Sequence, residues 1–475
     1  MRNTHPEFRT SPKERLSYWT FFIGQNVFYN IVAMFLSTYL ALQGVSLTRA
    51  GLVLLAVKVW DAVNDPLFGF LFDRIHFKNG QKCLPWLRFV TGFIPIVTIF
   101  LFAIPRGLSE AGKLLWLGVF YILWDTAYTL TDVPVYSMLT TMTDNLAERT
   151  HLLSLNRVFS GAGVLIYGVV LNLLISENVG MNVTWAVAIL SVFSAVTMIP
   201  LCVNCREHIR PTEKPGDSFT VRQMLRYLRS NKYLLIYYGG FFCTEALRTY
   251  NTVLLFVSFY LFGNSAYSVL LMILNMVPGV FAAMAMPWLL KKFDKFQVLF
   301  WCNIASVILG LAIWMAGYGN TAFFLVTTVL RCIPMSVVSI MNYMFTPDCA
   351  EYGQFVSGIE AKGITFAIQT FSTKLCSAVC SFLALFLLGL CQWVQVEAES
   401  FAELAQLGIQ QPPAALEGLW NVYALVPVIG MTVSIFFYLF YRLNDRDVQI
   451  MASCNSGQIS REEAEARLSR KYSRK

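Results

Sequence analysis

Two carboxylates four residues apart, Asp61 and Asp65, stand in a largely apolar run from Leu52 to Phe72, within the stretch WDAVNDPLFGFLFD. On a helix that spacing puts both on one face. A charge at mid-bilayer depth costs at least ~2.5–3.5 kcal/mol on insertion scales, so a membrane helix with two acids needs a compensating partner or a wet cavity. A cation is the natural candidate. Pro66, directly after Asp65, removes an amide donor and loosens the helix there. Free carbonyls beside two carboxylates make an oxygen-rich pocket suited to a hard ion such as Na⁺, or to H⁺ held by the acids themselves. The competing reading is that one of these acids salt-bridges Lys58 or Arg74 and merely fixes packing.

A second polar stripe lies in LWDTAYTLTDVPVYSM. Asp125, Tyr128, Thr129, Asp132 and Tyr136 follow i, i+3, i+4, i+7 and i+11 and so share one face of a helix, which must point at protein or a cavity rather than lipid. Asp125 is the weaker member, expected toward the outer mouth. A purely structural polar seam is the alternative. Lys374, in TFAIQTFSTKLCSAV, is the basic residue deep in the eleventh apolar segment. One buried lysine against Asp61, Asp65 and Asp132 leaves net negative charge, which a bound monovalent cation relieves; a lysine snorkelling to an interface is the alternative. Arg157 reaches Asp132 or a substrate hydroxyl, or anchors the topology at an interface. Glu245 and Arg248, three apart, are read as neutralising each other, and Arg331 has no explanation at this level.

The elements that must position these residues are membrane helices. The chain has 475 residues, 56% hydrophobic and only 13% charged, with a mean hydropathy of +0.56, whereas soluble domains run nearer ~25% charged. Twelve spans of the length needed to cross ~30 Å of hydrocarbon fall at 17–42, 50–72, 86–104, 114–139, 155–176, 183–205, 233–262, 266–290, 297–316, 321–345, 361–391 and 420–441. The eleventh is too long for one straight crossing, so its start is expected to project into the cytoplasm. The net charge of +8 is no nucleic-acid signal, because Lys and Arg are sorted by topology. They crowd the N-terminus, the 74–88 loop, the central linker, Lys291 to Lys295 and the C-terminal tail, while 392–419 holds Glu397, Glu399, Glu403 and Glu417 with no Lys or Arg. The positive-inside rule then puts both termini in the cytoplasm. The first 16 residues carry no cleavable signal pattern. The eleven cysteines show no CxxC spacing and read as packing residues in a reducing context.

The polar interruption 206–232 divides the chain into an N-terminal six-helix bundle (1–205) and a C-terminal one (233–445), followed by a tail (446–475). The linker's end reads as an amphipathic helix, with Met224, Leu225 and Leu228 against Arg222, Arg226 and Arg229. A 6+6 layout suits transporters built from two repeated halves with a site between them near the midplane. PVYSMLTTMTDN and NYMFTPDCAEYG form a loose echo between the halves. No Walker A motif is present, the four histidines are scattered outside the spans, and no buried nucleophile–base pair is evident, which argues against an enzyme.

WDAVNDPLFGFLFDR, YTLTDVPVYSM, Arg157, DCAEYG and QTFSTKL together, in order over nearly the whole chain, resemble the glycoside–pentoside–hexuronide:cation symporter family, the melibiose permease group of the major facilitator superfamily. The resemblance implies an all-α membrane protein of twelve helices in two pseudo-symmetric six-helix bundles, alternating access, and Na⁺, Li⁺ or H⁺ coupled to glycoside uptake, with no other cofactor. It implies cation binding by Asp61, Asp65, Thr129 and Asp132. Sugar contacts would come from Gln25, Asn26, Tyr128, Asp132, Tyr136, Arg157, Thr370 and Lys374. Gln25-Asn26 is a departure: it stands where melibiose permease has a Lys-Asp pair, and an amide lacks the charge that strengthens a grip on hydroxyls. The expected protein is therefore a multi-pass symporter of the cytoplasmic membrane whose partners are a sugar, a monovalent cation and the lipid bilayer, functional as a monomer, with no nucleic acid. A carrier of an amphipathic, lipid-like or drug-like solute, or a non-transporting sensor on the same fold, is the alternative.

Overall fold

The computed structural model describes residues 8–75, 77, 80–209, 227–358, 362–470 and 472. Among them the chain is helical, with one isolated antiparallel bridge between Gln43 and Glu397. In chain order the helices are α1 (Pro12–Ala41), α2 (Leu47–Arg74), α3 (Leu84–Leu101), α4 (Glu110–Met142), α5 (Glu148–Ile175) and α6 (Val183–Asn204). Then come α7 (Lys232–Ala246), α8 (Tyr250–Phe256), α9 (Tyr267–Lys292), α10 (Lys295–Ala316), α11 (Thr321–Met341) and α12 (Phe345–Ser357). The last are α13 (Lys362–Leu390), α14 (Phe401–Leu407), α15 (Pro413–Tyr438), α16 (Asp445–Asn455) and α17 (Arg461–Arg467).

Ten helical segments among the described residues are long and apolar enough to cross a bilayer. The two remaining expected spans have physical reasons to fall short. α2 is 28 residues long, but Lys58, Asp61 and Asp65 dilute its apolar run. The seventh is divided between α7 and α8 at Leu247–Thr249, and a π turn (Val257–Leu261) continues α8. The expected span 321–345 ends at Met341, and the DCAEYG motif forms a helix of its own, α12. The eleventh span is one unbroken helix of 29 residues. Most of the linker's expected amphipathic helix, including Arg222, Met224, Leu225 and Arg226, lies outside the described residues.

Two compact units emerge: residues 1–214 with 254–269 and 385–416, and residues 215–253, 270–384 and 417–475. In both, outward apolar side chains such as Val59, Leu115, Trp185, Met284 and Met315 are largely exposed, an arrangement suited to lipid rather than water. The interior of the first unit is organised around α1, whose start is closed by a capping box: Glu14 N donates to Ser11 Oγ at 3.2 Å and Ser11 N to Glu14 Oε2 at 2.8 Å. Its backbone runs almost against two neighbours. A Cβ on Gly24 would stand 2.3 Å from the Ser194 carbonyl oxygen on α6, and one on Gly163 of α5 would stand 2.5 Å from that of Ile23. Small residues permit this approach between membrane helices.

The second unit repeats the device. Cβ atoms on Gly239 and Gly240 of α7 would meet the rings of Phe437 and Tyr438 on α15 at 2.7 and 2.5 Å. Thus the helix opening each half of the sequence packs glycine-close against the helix ending that half. This is a firmer echo than the loose sequence match.

Two short segments from the second half of the sequence are bound into the first unit by polar contacts. Lys113 Nζ, buried, lies 2.7 Å from Glu397 Oε1 and donates to the Gln43 carbonyl at 2.9 Å. Arg106 bridges Glu399 at 3.1 Å and Glu403 at 2.7 Å. Glu177 accepts from the Ser265 amide at 3.1 Å. Backbone bonds join Gly44 N to Val396 O, Ala398 N to Leu42 O and Val183 N to Glu399 O. The acidic loop that the sequence leaves without Lys or Arg therefore finds its cations on α4 and the turn before it.

Within the second unit, the tail is tied down by Asp447, whose carboxylate accepts from the Ser469 amide at 3.0 Å and the Tyr472 hydroxyl at 2.6 Å. Desolvation raises its pKa, but the donors from Ser469, Tyr472 and Asn444 outweigh that and hold it below the usual carboxylate value. A depressed folded-state pKa contributes stability that is present above the unfolded pKa and lost as pH falls through the folded one. Acidification below the ordinary carboxylate range should expose the 456–470 segment to protease, and Asp447→Asn should do so at pH 7. Limited proteolysis across pH reads both. For the glycine contacts, Gly24→Ala and Gly240→Ala should each destabilise the detergent-solubilised protein by about 1–3 kcal/mol, seen as a fall in Tm; an unchanged Tm would mean the glycines are not packed this closely against their neighbours.

Candidate cation and substrate site

The polar faces of α2 and α4 meet in a ladder inside the first unit. At one rung Lys58 Nζ lies 3.4 Å from Asp61 Oδ2 and 3.1 Å from Asp125 Oδ1. The Tyr121 ring stands beside the ammonium, 5.5 Å from Nζ to the centroid. Asp61 and Asp125 are each 3% exposed, so Lys58 supplies compensation that two buried carboxylates require. At the next rung Thr129 Oγ1 donates to Asp65 Oδ1 at 2.9 Å and accepts from Asn64 Nδ2 at 3.0 Å. Asp132, one turn further along α4, accepts from Gln25 Nε2 of α1 at 2.8 Å.

The expected cation residues thus occupy one seam in three neighbouring groups: Asp61 with Lys58 and Asp125, Asp65 with Thr129 and Asn64, and Asp132 with Gln25. Among the described residues no three His, Cys, Asp or Glu side chains form a metal-holding cluster. A hard monovalent ion here would be met by one or two carboxylates with hydroxyl and amide oxygens. Asp125 is deeply buried and is a partner of Lys58. The charge account must also include Lys58, which the sequence offered only as the packing alternative and which engages Asp61.

The expected sugar residues are distributed unevenly. Tyr128 adjoins Gln25 and Asp132, but its ring is already stacked on Trp124 at 5.3 Å and set against Tyr29 at 5.5 Å. Tyr136 is 48% exposed. One side of its ring meets Phe22 at 5.5 Å, and its hydroxyl adjoins Asp132, Arg157 and Asn156. An open aromatic face beside a carboxylate, an exposed guanidinium and an amide is suited to a polyol with one apolar face. Asn26 donates to the Phe22 carbonyl of its own helix at 2.9 Å and packs against the α5 backbone at Gly163. Thr370 and Lys374 lie on α13 in the second unit; Thr370 Oγ1 donates to the Phe366 carbonyl at 3.3 Å and is exposed, and Lys374 is half-buried. Glu245 and Arg248 do pair, at 3.0 Å, and Asn342 Nδ2 also donates to Glu245 at 3.0 Å.

Sequence reading passed over Asn64 and Asn156. Both carried a signal: Asn64 is three residues from Asp61 on the acidic face, and Asn156 immediately precedes Arg157.

The chain is matched over residues 18–445 by the family model described as MFS/sugar transport protein. It is similar to the isoprimeverose transporter of Lactiplantibacillus pentosus, at 22% identity over 92% of this chain and 90% of that one. It is also similar to the glucuronide carrier protein homolog of Escherichia coli K12, at 24% identity over 89% of this chain and 91% of that one. Among solved structures it superposes on a bacterial homologue of the human lysosomal transporter Spinster, in an inward-facing and unoccupied conformation. That match has a TM-score of 0.64 and 12% identity, and covers 91% of this chain and 97% of the other. With a family match across nine-tenths of its length and the helical membrane fold to go with it, this chain belongs to the MFS/sugar transport protein family.

Proposed function

We propose that the chain takes up a glycoside together with a monovalent cation, Na⁺, Li⁺ or H⁺, by alternating access across the cytoplasmic membrane. The observation that carries this reading is the α2–α4 seam, where one lysine is shared between two buried aspartates beside a third that accepts from the Thr129 hydroxyl. With no coupling cation, Lys58 keeps Asp61 and Asp125 compensated. An arriving cation takes Asp61 and Asp65, with Thr129 and Asn64 adding neutral ligands, and Lys58 stays on Asp125. The exchange replaces one positive charge by another, so the site loads without stranding a buried carboxylate. Asp132 ties this seam to Gln25, Tyr128 and Tyr136, the sugar candidates, so each ligand biases the geometry offered to the other, and the coupling must be reciprocal. The relatives named for isoprimeverose and glucuronide support a glycoside or a related uronide as cargo. Thr370 and Lys374 are the second unit's candidates for sugar contact.

Both termini are taken as cytoplasmic from the sorting of Lys and Arg. The chain acts as a monomer, with no cofactor beyond the coupling ion and no nucleic-acid partner. It moves its cargo without covalent chemistry.

Reconstituted into liposomes, the protein should accumulate labelled glycoside in response to an inward Na⁺ or H⁺ gradient; flux that ignores both gradients would sink the coupling. Asp61→Asn should weaken cation binding about 10–100-fold, the loss expected when a charge-assisted contact worth ~1.5–3 kcal/mol is removed, and should abolish cation-stimulated uptake. Asp125→Asn removes the group onto which Lys58 retreats, so Lys58 competes for Asp61 and the cation concentration giving half-maximal uptake should rise about tenfold. Lys58→Met should shift it the opposite way, at the expense of stability in cation-free buffer. If both variants shift it in the same direction, the exchange is not operating.

A further inference from the structure

Arg331 on α11 is 6% exposed, and its Nε and Nη2 find no hydrogen-bond partner among the described residues. The titratable groups facing it are Tyr250, Tyr423 and Cys332, none of them an acid. Glu245, which shares Tyr250 as a neighbour with Arg331, is already held by Arg248 and Asn342 at 3.0 Å each. The guanidinium opens into a cavity of about 20 Å³ lined by Tyr250, Asn275, Thr328, Arg331, Cys332 and Tyr423. A second orphan points the same way: Thr328 Oγ1, one turn before Arg331, is buried with no partner among the described residues. Asn275, by contrast, is satisfied within the protein, donating to the Leu271 carbonyl and accepting from Cys332 Sγ.

The site is also built around the guanidinium. Gly310 on α10 leaves the space it occupies, since a Cβ there would lie 3.2 Å from Cζ and 3.3 Å from Nε of Arg331, and 2.5 Å from a Val428 methyl. A buried arginine with two unused donors, a buried hydroxyl with its own donor unused and a glycine cradle behind them form a polar pocket suited to a small ligand. Room for one water requires ~10–15 Å³ on the same measure, so the occupant is about as large as a water molecule or slightly larger. A sugar or a uronate is too big. Water would satisfy donors but leave the buried charge unmatched, and an unpaired charge is what a low-dielectric interior tolerates least.

We propose that this cavity binds a halide-sized inorganic anion, held by Nε and Nη2 of Arg331 and the hydroxyl of Thr328. The bound anion completes the packing of α10, α11 and the start of α8, independently of the cation seam in the first unit. The test uses the full chain purified in detergent, with its thermal unfolding followed in NaCl and in sodium gluconate at equal sodium and equal ionic strength, so that the coupling cation does not vary. Chloride should raise Tm saturably by about 2–4 °C over gluconate, and Arg331→Gln should abolish the difference. Should that variant not fold, Thr328→Val, which removes one donor and no charge, should raise the chloride concentration giving the half-maximal shift several-fold. Equal Tm values in the two salts, or a chloride shift that survives unchanged in Arg331→Gln or in Thr328→Val, would overturn the assignment.

Discussion

A carboxylate taken out of water into a bilayer cannot be left alone, and the first unit is arranged around that constraint. Four aspartates line the meeting of α2 and α4, where the dielectric is low and the desolvation penalty exceeds what neutral hydrogen bonds return. Each therefore has an assigned partner: the ammonium of Lys58 for Asp61 and Asp125, the Thr129 hydroxyl for Asp65, the Gln25 amide for Asp132. These assignments differ in strength. An ammonium shared by two acids at 3.1 and 3.4 Å serves neither fully. The seam is stable enough to fold yet still attractive to a positive ion, as a site that must load and unload requires.

The same constraint is met differently in the second unit. Glu245 and Arg248 close on each other, with Asn342 completing the shell, and such a self-contained pair has no need of a ligand. Arg331, four helices further along the chain, is given space by a glycine instead of a partner by an acid. Among the described residues the electronegative seam, the Glu245–Arg248 pair and the electropositive cavity are each set by which counter-charge lies close at hand.

Much of this was legible in the sequence because membrane helices have strong signatures. Apolar length fixed nearly every span, and the i, i+3, i+4 spacing of Asp125, Thr129 and Asp132 with the Asp61–Asp65 pair marked the two faces that meet. What escaped was whatever depends on which polar group touches which. Lys58 lies one turn from Asp61 and sixty-seven residues from Asp125, and helical spacing reveals only the first of these relations. Tyr128 and Tyr136 were equivalent on the stripe; packing against Trp124 and Tyr29 consumed the ring of one and left a face of the other open. The pinning of residues 385–416 to the first unit was unreadable because the matching of Glu397, Glu399 and Glu403 to Lys113 and Arg106 is a property of tertiary structure.

The glycine contacts of α1 carry a mechanical meaning. Where two backbones nearly touch, no flexible side chains lie between them to absorb sliding, and a displacement of even an ångström would drive carbonyl oxygens into α-carbons. Gly24 and Gly163 weld α1 to α6 and α5, so Gln25, which bridges to Asp132, is carried on a stiff three-helix plate. Whatever reorientation brings cargo through must displace that plate whole, and Gln25 with it.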